Sequence, residues 1–417
     1  MIIRRIIDAA HMANAGGISI LLLDWAKAFD RLKPDCMCDA LGRFGVPVEM
    51  VDMIRSIYRA RYFEISDHTG LSSERSQKAG IAQGCTLSPY LFIAVQSVML
   101  HDVFDKLSLI EEPAFLEIRD LLYADDTLLM SAHTSNLQAL LDGIVEEGAR
   151  YGLELNWKKT VQMQIGTPSV IKRPDGQDID SVRQAVYLGG CITCDGKATS
   201  EISRRIGECK RYFQQLQQVW AHAAITTTRK IEIYSKCITT RLLYSLDSLW
   251  LLQADRARLD AFHHQCLRKI LRIPPSFISR VENTFVLERS GLPLMSEQLL
   301  TRQRQVFVKI RDHGNDLIKH LFLTDSGQPQ IWNARRKRGR PRQRWITEVS
   351  RHIIYLLLFN YLIACASSSN SIPHISPICK RIWLATSCPL HVCLRVRFGC
   401  IACSAQLSDR STERVSD

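Results

Sequence analysis

Residues 121–130 read LLYADDTLLM, and the reading of the whole chain turns on this stretch. Apolar runs on both sides of Ala124-Asp125-Asp126 predict a tight β-hairpin with two adjacent carboxylates at its turn. Residues 21–30, LLLDWAKAFD, supply its counterpart. Ile18 to Leu23 form a short run rich in branched residues, bounded by Gly16-Gly17, which predicts a buried strand ending at Asp24. A DD pair alone reads first as a solvated turn. What argues otherwise is LLY before it and TLLM after it, which bury the hairpin. Adjacent carboxylates repel and do not both ionise cheaply without a cation. Their hard oxygens suit Mg²⁺, which accepts few protein carboxylates and leaves room for substrate phosphates. Two such ions about 4 Å apart would activate a hydroxyl and stabilise a leaving oxygen in phosphoryl transfer.

Around these two stretches the pattern is mixed. Pro34-Asp35 opens a helix that closes at Gly45, and Pro47 opens another that runs to about Tyr58. Residues 61–66 and 74–80 read as a polar hairpin around His68-Thr69-Gly70. Ser88 is placed as the N-cap, with Pro89 in the first turn, of a helix on which Leu91, Phe92, Val95, Val98 and Met99 repeat. Leu137, Leu140, Leu141, Ile144 and Val145 mark an amphipathic helix closed near Gly152. Val161, Met163 and Ile165 alternate as a strand, and Tyr187-Leu188-Gly189-Gly190 opens a further hairpin. From 200 to 320 the pattern is almost entirely helical, so a boundary is placed near 200. The expected fold class is α+β.

A length of 417 residues allows two or three domains at roughly 100–200 residues each. With 46% hydrophobic and 23% charged residues, collagen-like, coiled-coil and fully disordered classes are excluded. No run of 18 apolar residues occurs, and Arg4, Arg5 and Asp8 interrupt the apolar N-terminus. Neither a membrane span, a membrane partner nor a secretory signal is therefore expected. A net charge of +12 favours polyanionic partners, nucleic acid first. Of the 14 cysteines, Cys36, Cys38, Cys209, Cys237 and Cys266 sit in helical patterns, as expected of buried reduced thiols in a nuclear or cytoplasmic protein.

In order along the chain, LLLDWAKAFD, residues 80–92 (GIAQGCTLSPYLF), LLYADDTLLM, Gly152 with NWKKT, and YLGG resemble the reverse-transcriptase motifs A to E. The Lys-Ala-Phe-Asp after Asp24 and the Gln-Gly-Cys-Thr-Leu-Ser-Pro block resemble the non-LTR, LINE-type retrotransposon polymerases in particular. RLLYSLDSLW (241–250) and GRPRQRW (339–345) resemble the region downstream of that core. The resemblance covers roughly residues 1–350. It implies an RNA-directed DNA polymerase with a right-hand palm of antiparallel sheet backed by helices, followed by a helical thumb. It also implies two Mg²⁺ ions, or Mn²⁺, on Asp24, Asp125 and Asp126, with an RNA template, a DNA primer or nicked target DNA, and dNTPs as partners. Phe29 matches the gate that excludes a 2′-hydroxyl, against a plain core aromatic. Gln83 and Gly84 match the segment lying on the templating base and incoming nucleotide, where glycine permits close approach. Lys159 matches a proton donor to the pyrophosphate, although beside Lys158 it also reads as one of a solvated pair. Tyr187, Leu188 and Gly189 match the primer-grip hairpin, and Asp30 is given a structural role such as capping.

On this basis residues 1–165 are the palm with remnant fingers and 166–200 the motif E hairpin. Residues 201–334 are the helical thumb or connector, 335–350 a basic linker, and 351–417 a Ser- and Cys-rich tail. The family's fingers region precedes motif A, whereas about 23 residues precede Asp24 here. That implies a shortened copy, with fingers or endonuclease supplied by another chain. The alternative is an inactive relic that binds RNA or RNA–DNA hybrid. In the tail, IIYLLLFNYLIACA (353–366) is short for a span. Cys400-x-x-Cys403, with Cys388, His391 and Cys393 nearby, invites zinc but lacks a downstream histidine. Cys191-x-x-Cys194 is a weaker candidate of the same kind.

Residues 335–344, RRKRGRPRQR, carry seven cations, Arg335, Arg336, Lys337, Arg338, Arg340, Arg342 and Arg344, broken by Gly339 and Pro341. An extended, exposed segment is expected, and phosphate-backbone contact, a nuclear import signal and a solvated linker all remain open. Backbone contact predicts a defined outcome. Replacing Arg335, Arg336, Lys337 and Arg338 by Ala should weaken RNA binding similarly across sequences. The log–log salt slope should flatten by about 0.7 for each single-strand phosphate that is no longer neutralised. An unchanged slope in a filter-binding salt titration rules out the backbone role.

Overall fold

The computed structural model describes residues 1–12, 17–59, 61–166, 169–332 and 344–354. Arg335, Arg336, Lys337, Arg338, Arg340 and Arg342 lie outside the described residues. So do the apolar stretch beyond residue 354 and the tail's zinc candidates Cys388, His391, Cys393, Cys400 and Cys403.

In chain order the first part holds α1 (Ile2–Met12), β1 (Gly17–Leu23), α2 (Ala28–Arg31), α3 (Pro34–Arg43) and α4 (Val48–Arg59). Short strands follow: β2 (Tyr62–Phe63), β3 (Ser66–Asp67), β4 (Gly70–Leu71) and β5 (Arg75–Ser76). Then come α5 (Ser88–Lys106), β6 (Asp120–Tyr123), β7 (Asp126–Ser131), α6 (Thr134–Arg150), β8 (Val161–Gly166), β9 (Gln184–Tyr187) and β10 (Gly190–Thr193). The rest is helical: α7 (Thr199–Gln215), α8 (Gln217–Ala221), α9 (Thr227–Tyr234), α10 (Thr240–Leu243), α11 (Gln253–Leu271), α12 (Ser276–Ser279), α13 (Asn283–Ser290), α14 (Met295–His313) and α15 (Asp316–Phe322).

The central sheet has the order β6-β7-β1-β8, with every neighbouring pair antiparallel. Side chains alternate across a strand, and both faces of this sheet are covered. Leu21, Leu23 and Leu129 pack into one core with α3, α4, α5 and α6. Ile18, Ile20, Leu22, Leu128, Met130, Met163 and Ile165 pack into a second core with Ile3, Ile6 and Ile7 of α1. Burial on both faces explains why β1 reads as an unbroken apolar run rather than an alternating one.

A third core gathers α7 to α11 and α13 around Tyr234, Ile238, Leu242, Leu259 and Leu267. Helix α14 joins two of these cores. Met295 and Leu299 at its start lie in the helical core, whereas Phe307 lies with Leu321, Phe322 and Trp345 against α1 and the sheet. The C-terminal helices therefore return to the palm.

Several local expectations are corrected. Ser88 is not the cap of α5. Leu87 already has helical backbone angles and its carbonyl accepts from the Tyr90 and Leu91 amides, so Ser88 is the first full helical residue. Cys237 is exposed and Cys36 half-buried, whereas Cys38, Cys209 and Cys266 are buried as expected. No helix among the described residues is long and apolar enough to cross a membrane.

Candidate active site at the end of the palm sheet

The β1–β7 register ends with Leu23 opposite Thr127, which brings Asp24 beside Asp126 at one end of the sheet. In the β6–β7 hairpin Tyr123 pairs with Asp126, leaving Ala124 and Asp125 as a two-residue turn. Ala124 takes φ +51°, a left-handed conformation uncommon outside glycine. The hairpin thus delivers Asp125 and Asp126 to the end where β1 delivers Asp24. Asp24 is half-buried, and Asp125 and Asp126 face solvent. The Asp126 carboxyl is pushed above the usual carboxylate range, first by partial burial against the sheet and then by the charges of Asp125 and Asp24. Among the described residues no three His, Cys, Asp or Glu side chains are gathered tightly enough to enclose a metal. Repulsion between like charges opposes such an approach by the aspartates alone.

Polar contacts fix this end of the sheet. The buried Trp25 indole donates to Thr127 Oγ1 at 3.1 Å, and Gln96 Nε2 reaches the same oxygen at 3.5 Å. The Asn156 amide donates to the Asp24 carbonyl at 2.7 Å and the Ala26 amide to the Glu154 carbonyl at 2.8 Å. Beyond β1, residues 24–26 are therefore held by the loop at 154–156. That loop also presents Lys159, whose Nζ lies 3.5 Å from Asp24 Oδ1. Trp25, Gln96 and Thr127 were not singled out from the sequence, because their spacing carries no local signal.

Phe29 stacks on Phe92 of α5, with ring centroids 4.9 Å apart. It is half-buried at the edge of the first core. Its carbonyl accepts from the Ile81 amide at 2.6 Å, which docks the segment carrying Gln83. Gln83 Nε2 donates to Asp30 Oδ1 at 3.0 Å, so Asp30 orients Gln83. Gly84 has φ +84° and nothing within 4 Å of where a Cβ would stand. Another molecule can approach its backbone closely.

Tyr187 ends β9, and its hydroxyl donates to the Leu121 carbonyl at 3.4 Å. Burial, followed by the nearby Asp126 charge, pushes this phenol up to about 12. Leu188 and Gly189 form the turn into β10 with φ +47° and +68°. Two positive φ values are the requirement of a type I′ hairpin turn. The hairpin thus stands next to the β6–β7 hairpin. Among the described residues no cluster of three His, Cys, Asp or Glu side chains gathers at Cys191 and Cys194. Cys191 is buried in β10, where desolvation, then Glu201, raises its thiol.

Residues 3–193 match the family described as reverse transcriptase (RNA-dependent DNA polymerase). Over these residues the chain is similar to reverse-transcriptase domains. Several of the relatives it matches are named as polymerases of non-LTR retrotransposons. It is similar to the probable RNA-directed DNA polymerase from transposon BS of Drosophila melanogaster, 25% identical over 319 residues that cover 72% of this chain and 34% of that protein. It is also similar to the Pol polyprotein of the type-2 retrotransposable element R2DM of Drosophila melanogaster, 30% identical over 197 residues, 44% of this chain and 18% of that protein. The chain therefore spans about a third or less of these relatives. Among solved structures, apo telomerase from Candida tropicalis aligns over 77% of this chain and 55% of its own, at 15% identity and a TM-score of 0.37. The fold is read from the sheet itself.

Thr127 tests how the site is held. Thr127→Val keeps the shape but removes the acceptor shared by two buried donors. The expected destabilisation is about 1–3 kcal/mol. Urea unfolding measures it; a change within error would show that the Trp25 bond does not hold this end of the sheet.

Proposed function

We propose that the chain carries out RNA-directed DNA synthesis for a non-LTR retrotransposon. It would add dNTPs to a DNA 3′-hydroxyl, of a primer or nicked target, along an RNA template. The observation that carries this reading is the delivery of Asp24, Asp125 and Asp126 to one end of a palm sheet. Reverse transcriptases use divalent metal ions, and an all-oxygen donor set with a raised Asp126 carboxyl suits a hard cation such as Mg²⁺, or Mn²⁺. Bound there, two such ions would supply charge stabilisation at the reacting phosphate and a more acidic hydroxyl.

The chain's own residues would do the rest. Phe29, braced by Phe92, would press on the sugar and leave no room for a 2′-hydroxyl. Gln83, oriented by Asp30, and the open backbone of Gly84 would lie against the nascent base pair. Lys159 Nζ, beside Asp24, would hold a proton for the departing pyrophosphate. Tyr187, Leu188 and Gly189 would seat the primer end. Arg335, Arg336, Lys337, Arg338, Arg340, Arg342 and Arg344 would hold phosphates, and nuclear or cytoplasmic placement follows from the same reading. Fingers or endonuclease from a further chain would complete the assembly.

Two measurements test this. Asp125→Asn should lower primer extension by about 10²-fold or more, because charge compensation at the phosphate is removed. Hybrid binding should survive. Extension near the wild-type rate would show the site assignment to be wrong, and wild-type binding without extension would favour the inactive relic. Separately, Phe29→Val should raise ribonucleotide incorporation relative to deoxyribonucleotide in single-nucleotide extension assays. An unchanged ratio returns Phe29 to the core.

A further inference from the structure

The Leu188–Gly189 turn is held mainly by residues outside its own hairpin. The Tyr244 hydroxyl donates to the Leu188 carbonyl at 3.0 Å. Arg204 Nη2 donates to the Gly189 carbonyl at 2.7 Å, and Arg205 donates to the same oxygen. Arg4 of α1 takes the Cys191 carbonyl at 3.0 Å and also bonds the Ser245 carbonyl and Ser248 hydroxyl. Glu201, only 1% exposed, organises the cations. Its carboxylate accepts from Arg204 Nε at 2.9 Å, from Arg205 Nε at 2.7 Å and from the Cys191 amide at 2.9 Å. The Arg205 guanidinium lies 4.7 Å from the centre of the Tyr244 ring.

Fit at the end of the turn is equally tight. A Cβ on Gly190 would strike the Ser245 hydroxyl and stand 3.1 Å from its Cβ. Ser245 itself takes φ +66°, which a glycine would adopt freely. Both turn carbonyls are thus occupied, whereas neither the Leu188 nor the Gly189 amide has a hydrogen-bond partner among the described residues. A turn with its acceptors capped and its donors open, beside arginines, is suited to a polyanionic strand.

We propose that Arg204, Arg205 and Tyr244 are positioning residues for the primer end, acting by clamping the Leu188–Gly189 turn against the helical region through the Gly190–Ser245 contact. This rests on the primer-grip reading given under the proposed function. The clamp makes the seat a joint product of the palm hairpin and the first helices after it. Tyr244 is 51% exposed, so its hydroxyl serves the turn rather than the helical core.

The test pairs a clash with its relief. Gly190→Ala should raise the KM for primer–template hybrid about tenfold while leaving the dNTP KM within about twofold, since a displaced seat weakens its hold on the primer and not on the nucleotide. Adding Ser245→Gly removes the obstructing side chain and should restore hybrid KM. Amide hydrogen exchange over residues 184–193 should quicken in the single variant and recover in the double. Tyr244→Phe, which keeps the ring, should raise hybrid KM about threefold. Unchanged hybrid KM and exchange in Gly190→Ala, with the thermal midpoint retained, overturns the proposal. So does a double variant that recovers exchange but not hybrid affinity. Should the wild-type chain bind hybrid without extending it, the polymerase reading fails separately, and hybrid Kd with exchange decides the clamp by the same pattern.

Discussion

Strand β1 is hydrogen-bonded along both edges and buried on both faces, and the position of Asp24 depends on it. An unpaired carboxylate cannot be carried inside such a strand without a large desolvation cost. The apolar run therefore stops at Leu23, and the acid stands at the first residue beyond it. Because both faces are apolar, hydrophobic patterning alone does not choose the register. A strand with one polar face would be fixed by it. Here the choice falls to polar contacts at the two ends. Trp25 with Thr127 and Asn156 with the Asp24 carbonyl pin the end that carries Asp24. The buried Ser19 hydroxyl with Ser169, 2.5 Å apart, pins the other.

The three cores meet at polar seams. Arg4 and Arg5 lie on α1 among isoleucines, yet both are buried and bonded to distant carbonyls, Arg4 to Cys191 and Ser245, Arg5 to Leu321 and Gln330. Burial pulls both guanidinium groups below their ordinary range. Such groups are tolerable only when well bonded, and they contribute little net stability over an apolar substitute. What they supply is direction. Apolar surfaces dock in many orientations, whereas a guanidinium aimed at particular carbonyls accepts one. The β9–β10 hairpin is set in the same way, by Glu201, Arg204, Arg205 and Tyr244.

The carboxylates and their supports differ in how they show in a sequence. Asp24, Asp125 and Asp126 were legible because each sits at a strand end or turn flanked by apolar runs. The paired helices at 34–59 and the strand at 161–166 were legible from proline, glycine and periodicity. Ser88 misled because Ser-Pro is a common start, while the backbone enters the helix one residue earlier. Cys237 misled because a helical pattern does not say which way a residue faces. Glu201, Arg204 and Arg205 left a faint trace in their spacing of three and four, which puts them on one helix face. Nothing in that spacing pointed to a turn at residues 188–189.

By itself, then, the sequence determined most of the elements and the order of the motifs, and placed the three acids at strand ends or turns, since these follow from patterns a few residues long; the helix at Ile2–Met12 was not among them. The tertiary structure decided which side chains meet. Trp25 finds Thr127, Gln83 finds Asp30, Tyr244 finds Leu188, and α14 and α15 return to the palm beside α1. These pairings join residues from tens to hundreds of positions apart. No local periodicity records them, because they arise only when buried donors, acceptors and apolar faces must all be satisfied in one packed arrangement.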